Sequence, residues 1–466
     1  MSYGSFVRKR LTKVKTNILE KLYLSAPIFL QNILVSAYGV LEHRRRYKGV
    51  FAHYSNGLLS KENDSQEKRL NEQKITLENV LKDALENVPH YQKKNIGGSK
   101  LSDFPILDRV DVFENTDSFL SNKFDKNKLL TLYTGGSTGN PLKVYLNSDI
   151  RQKTYAFWDV FYKRIGFEIG QKKASFVGRK LQEPDNNAPP FWRYNIIDKQ
   201  LLFSSYHLSK DNLSLYVEKL NSFKPIIIEG YPMSIHRLAQ YITENKIKLD
   251  FAPKGISTSS ENISQKQRNT IQDAFKCKVF DQYGSAESVV FAGECEYGSK
   301  HIAMEYGVVE ILTKDGEIQS EGEGELIVTS LLNDVMPLIR YRIGDLGKVS
   351  WKECECGRHT PVLEELYGKV GAVIVSEDKT VPTAAIAIAF EYLTHVKKSQ
   401  LIQNKPNEVI AKLAVTEGFQ NEEKDYMVWE LKKMLGDSMN IVVELVDDIQ
   451  PGKNGKYQMV VQNCYK

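Results

Sequence analysis

Residues 134–143 read Thr-Gly-Gly-Ser-Thr-Gly-Asn-Pro-Leu-Lys and follow an apolar stretch that ends at Tyr133. Gly135, Gly136 and Gly139 let backbone amides approach an anion closely, and successive amides form an anion-holding nest. The hydroxyls of Thr134, Ser137 and Thr138 add donors, and Lys143 can neutralise charge. The order matches neither the G-x-x-x-x-G-K-[ST] loop nor the G-x-G-x-x-G fingerprint. Alone, such a loop is more often a surface turn. Three further turns accompany it: "FDQYGSAES" (280–288) presents Glu287, "YRIGDLG" (341–347) presents Asp345, and "PGKNGKYQ" (451–458) presents Lys456. Together they make an ATP-site inventory. The loop holds phosphates, the glutamate holds Mg²⁺, the aspartate accepts from ribose hydroxyls, and the lysine bridges a leaving phosphate.

A second constellation is built from Cys295, His301, Cys354 and Cys356. The Cys-x-Cys-Gly turn aims two thiolates at one point, and three thiolates with one imidazole form the closed tetrahedral set of a structural zinc site. The spacing lies outside the common finger patterns, and the alternative is separate thiols buried as small apolar groups. A third stretch, 172–209, is rich in aromatics and proline. Arg179, Trp192, Arg193, Tyr206 and His207 are its candidates to face a substrate, an arginine suiting a second anionic group by bidentate pairing. The competing reading makes the aromatics core and the arginines surface ion pairs. His207 alone reads more readily as a hydrogen-bonded structural histidine than as a catalytic one.

These residues need a scaffold. "KPIIIEGY" (224–231) and "CKVFDQYG" (277–284) read as strands, flanked by the helical "SIHRLAQYITEN" and "SQKQRNTIQDAF". Such alternation predicts α/β layering. A block of short strands follows: "GVVEILT", "GEGELIVTSL" and "PLIRYRIGDLGKVS". After about residue 368 the pattern restarts: a strand, a helix at 384–397, "EVIAKLAVT", a helix at 421–435, and "IVVELVDDI". That is enough for a second domain. Upstream, "ITLENVLKDALENV" (75–88) has helical spacing and ends before Pro89.

The 466 residues are 41% hydrophobic and 26% charged, an ordinary globular balance, and the net charge of +5 with no aromatic-interleaved basic stripe gives no support to a nucleic-acid binder. Five irregularly spaced cysteines do not suggest a disulfide framework and fit a reducing, cytoplasmic compartment. The basic N-terminus has no clean signal-peptide pattern. The stretch "LYLSAPIFLQNILVSAYGVLEHRRR" is too interrupted to span a bilayer. It reads either as a helix packed on the protein's own body or as a membrane-surface helix with flanking Lys and Arg meeting anionic lipid at the inner face.

The four turns in this order resemble the acyl-adenylate-forming superfamily, and within it the phenylacetate–CoA ligase-like branch, which includes proteins encoded with capsule and O-antigen polysaccharide genes. The resemblance covers about residues 75–466. Members join ATP to a carboxylate, giving an acyl-AMP and pyrophosphate, then pass the acyl group to an acceptor. It implies a large α/β domain of layered sheets with a small β-rich subdomain (75–367) and a smaller, mobile α+β lid (368–466), after a basic helical extension (1–74). It also implies site roles. "TGGSTGNPLK" is the phosphate loop, with Thr138 in the catalytic set beside Glu287 and Lys456. Within "QYGSAE", Tyr283 and Gly284 line adenine, Gln282 and Ser285 flank them, and Glu287 binds Mg²⁺. Asp345 holds the ribose and Lys456 is the adenylation lysine. Ser260 and Glu261 of "STSSE" fall at the adenine and acyl-pocket backbone, and Tyr231 of "EGYPMSI" in the acyl pocket, where Arg179 and His207 are further substrate candidates. A cysteine-rich metal site at the corresponding place is common in this branch. One departure stands out: Lys369 occupies the place of the arginine that precedes the hinge, near Gly371. The implied acceptor is an amine, a hydroxyl or the thiol of CoA, with an amino sugar or lipid-linked glycan for the polysaccharide members. The competing class is a non-catalytic scaffold, against which the intact Glu287, Asp345 and Lys456 argue.

Overall fold

A computed structural model describes residues 22–94, 96–134, 142–183, 186–369, 373–376, 380–382, 386, 389–390, 393–450 and 457–464. Its spine is a 13-stranded mixed sheet. In one half, Lys173–Phe176, Ile227–Gly230, Gly255–Ser259 and Val279–Gly284 run parallel, in register from Gly230 beside Thr258 to Ser259 beside Gln282. Helices Leu213–Phe223, Pro232–Glu244 and Gln265–Phe275 lie between these strands in sequence. The strands are nearly continuous buried runs, as parallel strands covered by helices must be. Ser264 starts the helix Gln265–Phe275 with a reciprocal cap to Gln267.

The other half is antiparallel, passing from Phe291–Glu294 through Lys300–Ile302, Val362–Lys369, Tyr341–Ser350, Gly322–Ser330 and Gly307–Leu312 to the short edge strand Ile318–Gln319. Tyr341–Ser350 alternates buried and half-buried side chains, the mark of a strand with one face on the core. This is the β-rich block read from the sequence.

The first helices, Ile28–Tyr47, Phe51–Ser60 and Gln66–Asn87, are built into the body. Phe51, Leu58, Leu81 and Ala84 join the main apolar core. The helix Gln66–Asn87 begins at Ser65, whose hydroxyl accepts from Lys68 N, and runs unbroken through the boundary expected at residue 74. Arg69, ahead of that boundary, is tied to Glu305 at 3.1 Å.

A separate four-stranded sheet orders Asn440–Val446, Glu408–Val415, Val396–Lys405 and Val460–Gln462, with the helix Asn421–Leu435 alongside. Its apolar cluster, including Leu401, Val409, Met427 and Leu431, draws only on residues beyond 373. Part of the helix expected over 384–397 lies outside the described residues, and its last two positions, 396 and 397, belong instead to the strand Val396–Lys405. Glu423 Oε1 accepts from the backbone amides of Thr394 (2.6 Å) and His395 (3.1 Å), which fixes the chain in a turn there.

Candidate active site

The C-terminal ends of parallel strands in one sheet open onto a common edge, and the loops that follow them carry most of the candidate residues. Tyr231 follows Ile227–Gly230, Ser260 and Glu261 follow Gly255–Ser259, and Ser285 and Glu287 follow Val279–Gly284. Ser260 (φ +72°) and Ser288 (φ +58°) hold left-handed backbone beside Glu261 and Glu287. That conformation is costly for a serine and is found where a loop must aim a particular side chain.

Asp345 reaches the same place from the antiparallel half. Tyr283 Oη donates to Asp345 Oδ2 at 2.8 Å. Lys369, directly opposite Asp345 in the strand pair, donates to its carboxylate at 3.0 Å and to Ile343 O at 3.1 Å. The lysine at the arginine's position therefore still meets the aspartate. Burial and the neighbouring carboxylate of Asp345 push the Tyr283 phenol well above its ordinary range, so Tyr283 is a fixed donor.

Glu287 is 8% exposed at its side chain and pairs with Arg109 at 3.3 Å. Arg109 also donates to Thr134 Oγ1 at 2.9 Å and lies 3.5 Å from Tyr341 Oη. Its position is set by the bridge of Leu107 to Tyr341, with Leu107 N donating to Arg340 O and Arg342 N to Leu107 O, each at 2.9 Å. One guanidinium thus joins the Glu287 carboxylate to the first hydroxyl of the glycine loop. The sequence offered no pattern for it, since a lone arginine ahead of the loop belongs to no motif.

The ends of the glycine loop are pinned: Thr134 N donates to Leu142 O at 2.9 Å, and Leu142 N to Thr134 Oγ1 at 3.0 Å. Gly135, Gly136, Ser137, Thr138 and Gly139 lie outside the described residues, as do Gly371 and Lys456. Lys143 is engaged by Tyr145 Oη, which itself donates to Asp117 at 2.9 Å. Gln282 Nε2 donates to Tyr283 O at 2.7 Å, and a Cβ at Gly284 would meet that nitrogen at 2.7 Å. Ser285 Oγ is buried with no hydrogen-bond partner among the described residues.

Glu261 ties the small domain to this edge. Its Oε1 accepts from Tyr457 N at 2.8 Å, one residue after Lys456, and its Oε2 from Met233 N at 3.3 Å. Lys266 Nζ donates to Leu393 O at 2.5 Å, and Arg237 pairs with Asp448 at 3.3 Å. The segment next to Lys456 is therefore docked beside Tyr231 and Ser260.

The aromatic stretch divides differently from expectation. Arg193 is buried, donating to Gln31 Oε1 (2.5 Å), Pro190 O (2.8 Å) and Trp192 O (2.7 Å), so it fastens the first helix to the sheet. His207 is 2% exposed, its ring nitrogens bonded to Ser204 Oγ (2.7 Å) and Glu183 O (3.1 Å), its ring stacked on Phe191. It is a structural histidine: both polar atoms are spent inside the fold. Arg179 remains at the surface, in the loop whose Gly178 lies against Tyr231.

Cys295, His301, Cys354 and Cys356 converge, their donor atoms all within 4.8 Å of one another. Cys295 Sγ and Cys354 Sγ are 3.7 Å apart, and Cys356 Sγ lies 3.2 Å from His301 Nε2. His301 Nδ1 meets Thr360 Oγ1 at 3.0 Å, which orients the ring. The turn closes through Gly357 N to Cys354 O (2.9 Å), with Gly357 at φ +73°. Burial, then Arg164 and Arg358, lower the His301 pKa to about 4, leaving the neutral imidazole a metal requires. Burial raises the Cys295 thiol to about 12. Three sulfurs and one nitrogen at this spacing fit tetrahedral zinc.

The mixed sheet with its small second domain is the architecture of adenylate-forming ligases. The solved structure of 2-hydroxyisobutyryl-CoA ligase in the postadenylation state matches 86% of this chain and 91% of its own with a TM-score of 0.68, at 16% identity. Residues 373–463 match the family described as the CapK C-terminal domain. Protein CapK of Staphylococcus aureus is 31% identical over 465 residues, covering 96% of this chain and all of that one. Phenylacetate–coenzyme A ligase of Thermus thermophilus is 26% identical over 44% of this chain and 48% of its own. Indoleacetate–lysine synthetase of Pseudomonas savastanoi is 23% identical over 56% and 65%. The chain belongs to the acyl-adenylate-forming superfamily, in the branch that contains CapK and phenylacetate–CoA ligase, and is an adenylate-forming ligase.

Proposed function

We propose that this ligase binds MgATP at the edge formed by Thr134, Tyr283, Glu287 and Asp345, activates a carboxylic acid there, and passes the acyl group to an amine or hydroxyl of a sugar acceptor in surface polysaccharide synthesis. In the first half-reaction a carboxylate oxygen bonds to the α-phosphorus and pyrophosphate leaves. In the second, the acceptor attacks the acyl carbonyl and AMP leaves. The observation that carries the reading is the joining of Thr134, Arg109 and Glu287 in one chain of contacts beside the Tyr283–Asp345–Lys369 set. Asp345, held by Tyr283 and Lys369, suits ribose hydroxyls, and Tyr283 with Gly284 suits the adenine face. Glu287, a carboxylate linked through Arg109 to the first hydroxyl of the glycine loop, would hold Mg²⁺ in exchange for part of its pairing with Arg109; the ion would supply charge neutralisation of the phosphates. Lys456, next to the docked Tyr457, would hold the carboxylate and α-phosphate oxygens together. The lid is residues 368–466, turning near Gly368, whose φ of +105° favours glycine. Zn²⁺ on Cys295, His301, Cys354 and Cys356 would be structural, four protein ligands leaving no position for water.

The likeness to indoleacetate–lysine synthetase supports an amine acceptor, and the likeness to CapK and the polysaccharide-linked members a sugar. CoA is the alternative acceptor. An ATP–pyrophosphate exchange assay over a panel of acids tests the first half-reaction; adding amino sugars or CoA then separates the acceptors. Exchange with no acid in the panel would count against the reading.

We also propose that the first helix rests on an anionic membrane surface from the cytoplasmic side. No helix among the described residues is long and apolar enough to cross a membrane. Phe29 (68% exposed), Ile33 (57%) and Leu41 (51%) lie at helical spacing on one face, with Leu22 ahead of them. Arg44 and Arg45 follow in the last turn, and Arg8, Lys9, Arg10, Lys13 and Lys15 precede in sequence, charges that complement anionic headgroups. Co-sedimentation with phosphatidylglycerol vesicles, reduced in Ile33→Glu and absent with phosphatidylcholine, is the expected result. A dimer broken by Ile33→Glu, with no vesicle binding, would assign the face to a second copy instead.

A further inference from the structure

A cavity of about 240 Å³ lies between the helix Ile28–Tyr47 and the sheet edge of Trp192–Asn195 and Gln200–Phe203. Val35, Tyr38 and Gly39 form its roof, and Asn195, Gln200 and Leu202 its floor. Roof and floor are locked together. A Cβ at Gly39 would meet Asn195 Oδ1 at 2.4 Å, Asn32 Oδ1 accepts from Tyr194 N at 2.9 Å, and Ser36 Oγ accepts from Ile196 N at 3.2 Å. The volume is below the roughly 300–1,000 Å³ of drug-sized ligand pockets, so it suits one compact group.

The wall is largely apolar, and the charge of the few polar groups set in it does not balance. Glu42 is the carboxylate on the helix side, but Arg45 (3.0 Å), Arg46 (3.1 Å) and Arg151 all bind it. Asp198 is spent on His43 (2.8 Å) and on Asn195 Nδ2 (3.0 Å). Among the described residues, Arg46 Nε has no hydrogen-bond partner. Arg179 adds a cation at the rim, and the hydroxyls of Tyr23 and Tyr38 add polar atoms on aromatic faces. Three guanidinium groups against the one Glu42 carboxylate leave donors in surplus, which an oxyanion would satisfy. Tyrosine faces and amide floor groups suit a hydroxylated ring.

The cavity also adjoins the reaction edge. The loop that supplies Arg179 holds Gly178 at φ +66° against Tyr231: a Cβ there would lie 2.8 Å from the Tyr231 ring. Tyr206 Oη donates to Gly178 O at 3.3 Å on the same side. One loop thus borders both the cavity and the residue placed in the acyl pocket.

We infer that this cavity is a binding site for a hydroxylated anion of single-sugar size, a sugar acid or a sugar phosphate. Its assignment as the acceptor's seat rests on the function proposed above; its binding does not. The recognition is of an oxyanion by Arg46 and Arg179 with the ring laid against Tyr38. Because the first helix forms the roof, the residues ahead of the glycine loop take part in choosing the acceptor.

Calorimetric titration of the full chain without ATP tests it, with glucuronate, glucose 1-phosphate and glucose as probes. Binding of either anion, with glucose at least about tenfold weaker, is expected from the charged hydrogen bonds. The two anion arms distinguish a carboxylate from a phosphate ligand. Arg179→Glu, at an exposed position, and Val35→Trp, which fills the roof, should each weaken that binding about tenfold or more. Failure of both anions to bind, or binding unchanged in Arg179→Glu, overturns the inference; if Val35→Trp does not fold, Arg179→Glu decides alone. Wild-type ATP–pyrophosphate exchange, run with acids and no sugar, reports separately on the cleft: its absence beside intact sugar binding would sink the ligase reading and leave the cavity site standing.

Discussion

Replacing Glu287 by Gln separates chemistry from stability at this site. The carboxylate is 8% exposed and 3.3 Å from Arg109, which is 33% exposed. Glutamine keeps the shape and an acceptor oxygen for Arg109 but removes the charge. With the arginine still reaching solvent, the fold should lose only about 1 kcal/mol. The proposed cation site loses its anion, and a preorganised electrostatic contact at a reacting phosphate is worth about 10²–10³ in rate, or roughly 3–4 kcal/mol. The variant should therefore unfold within a few degrees of the parent while acid-dependent ATP–pyrophosphate exchange falls at least about a hundredfold. A magnesium titration adds a second readout: higher Mg²⁺ should recover part of the rate, because the defect lies in holding the ion. Exchange within about threefold of wild type at limiting Mg²⁺ would refute the role of Glu287, since that difference is under 1 kcal/mol.

Other residues make independent tests. Purified protein should contain about one zinc per chain, and Cys356→Ser or chelation should lower the unfolding midpoint; metal-free protein of unchanged stability contradicts the site. Glu261→Ala removes the acceptor of Tyr457 N and should slow exchange about tenfold through misplacement of the neighbouring lysine, with little change in melting. Burial, and then Lys266, hold His236 neutral with a pKa of about 4 against 6.5 in the unfolded chain. The unfolded state takes up the proton first, so stability is full above pH 6.5 and falls as pH drops toward 4, by up to about 3 kcal/mol. His236→Leu should flatten that part of a pH–denaturation series, and an unchanged slope would refute it.

The pattern of glycine turns, each with one reactive side chain, was legible because turns and strand ends leave strong local marks. The sequence also showed the Cys-x-Cys-Gly turn, though only the pairing of His301 with Val362 explains how Cys295 and Cys354 meet. Arg109 was invisible: its place depends on the bridge of Leu107 to Tyr341, a long-range contact with no local signature. For Arg193 and His207 the sequence left two readings open, because composition records residue types and not partners, which include Gln31 for the first and Ser204 for the second. The helix across residue 74 was hidden for a related reason. The first turns are strongly polar, and only the cap at Ser65 and the burial of Leu81 and Ala84 show that one helix runs from there into the core.

The most direct test of the account is the fate of a carboxylate oxygen. With an accepted acid labelled with ¹⁸O in its carboxylate, acyl-adenylate chemistry transfers one labelled oxygen to AMP, which mass spectrometry detects. The account predicts labelled AMP and unlabelled pyrophosphate, both abolished in Lys456→Ala. Unlabelled AMP, or cleavage of ATP to ADP and phosphate, would contradict it.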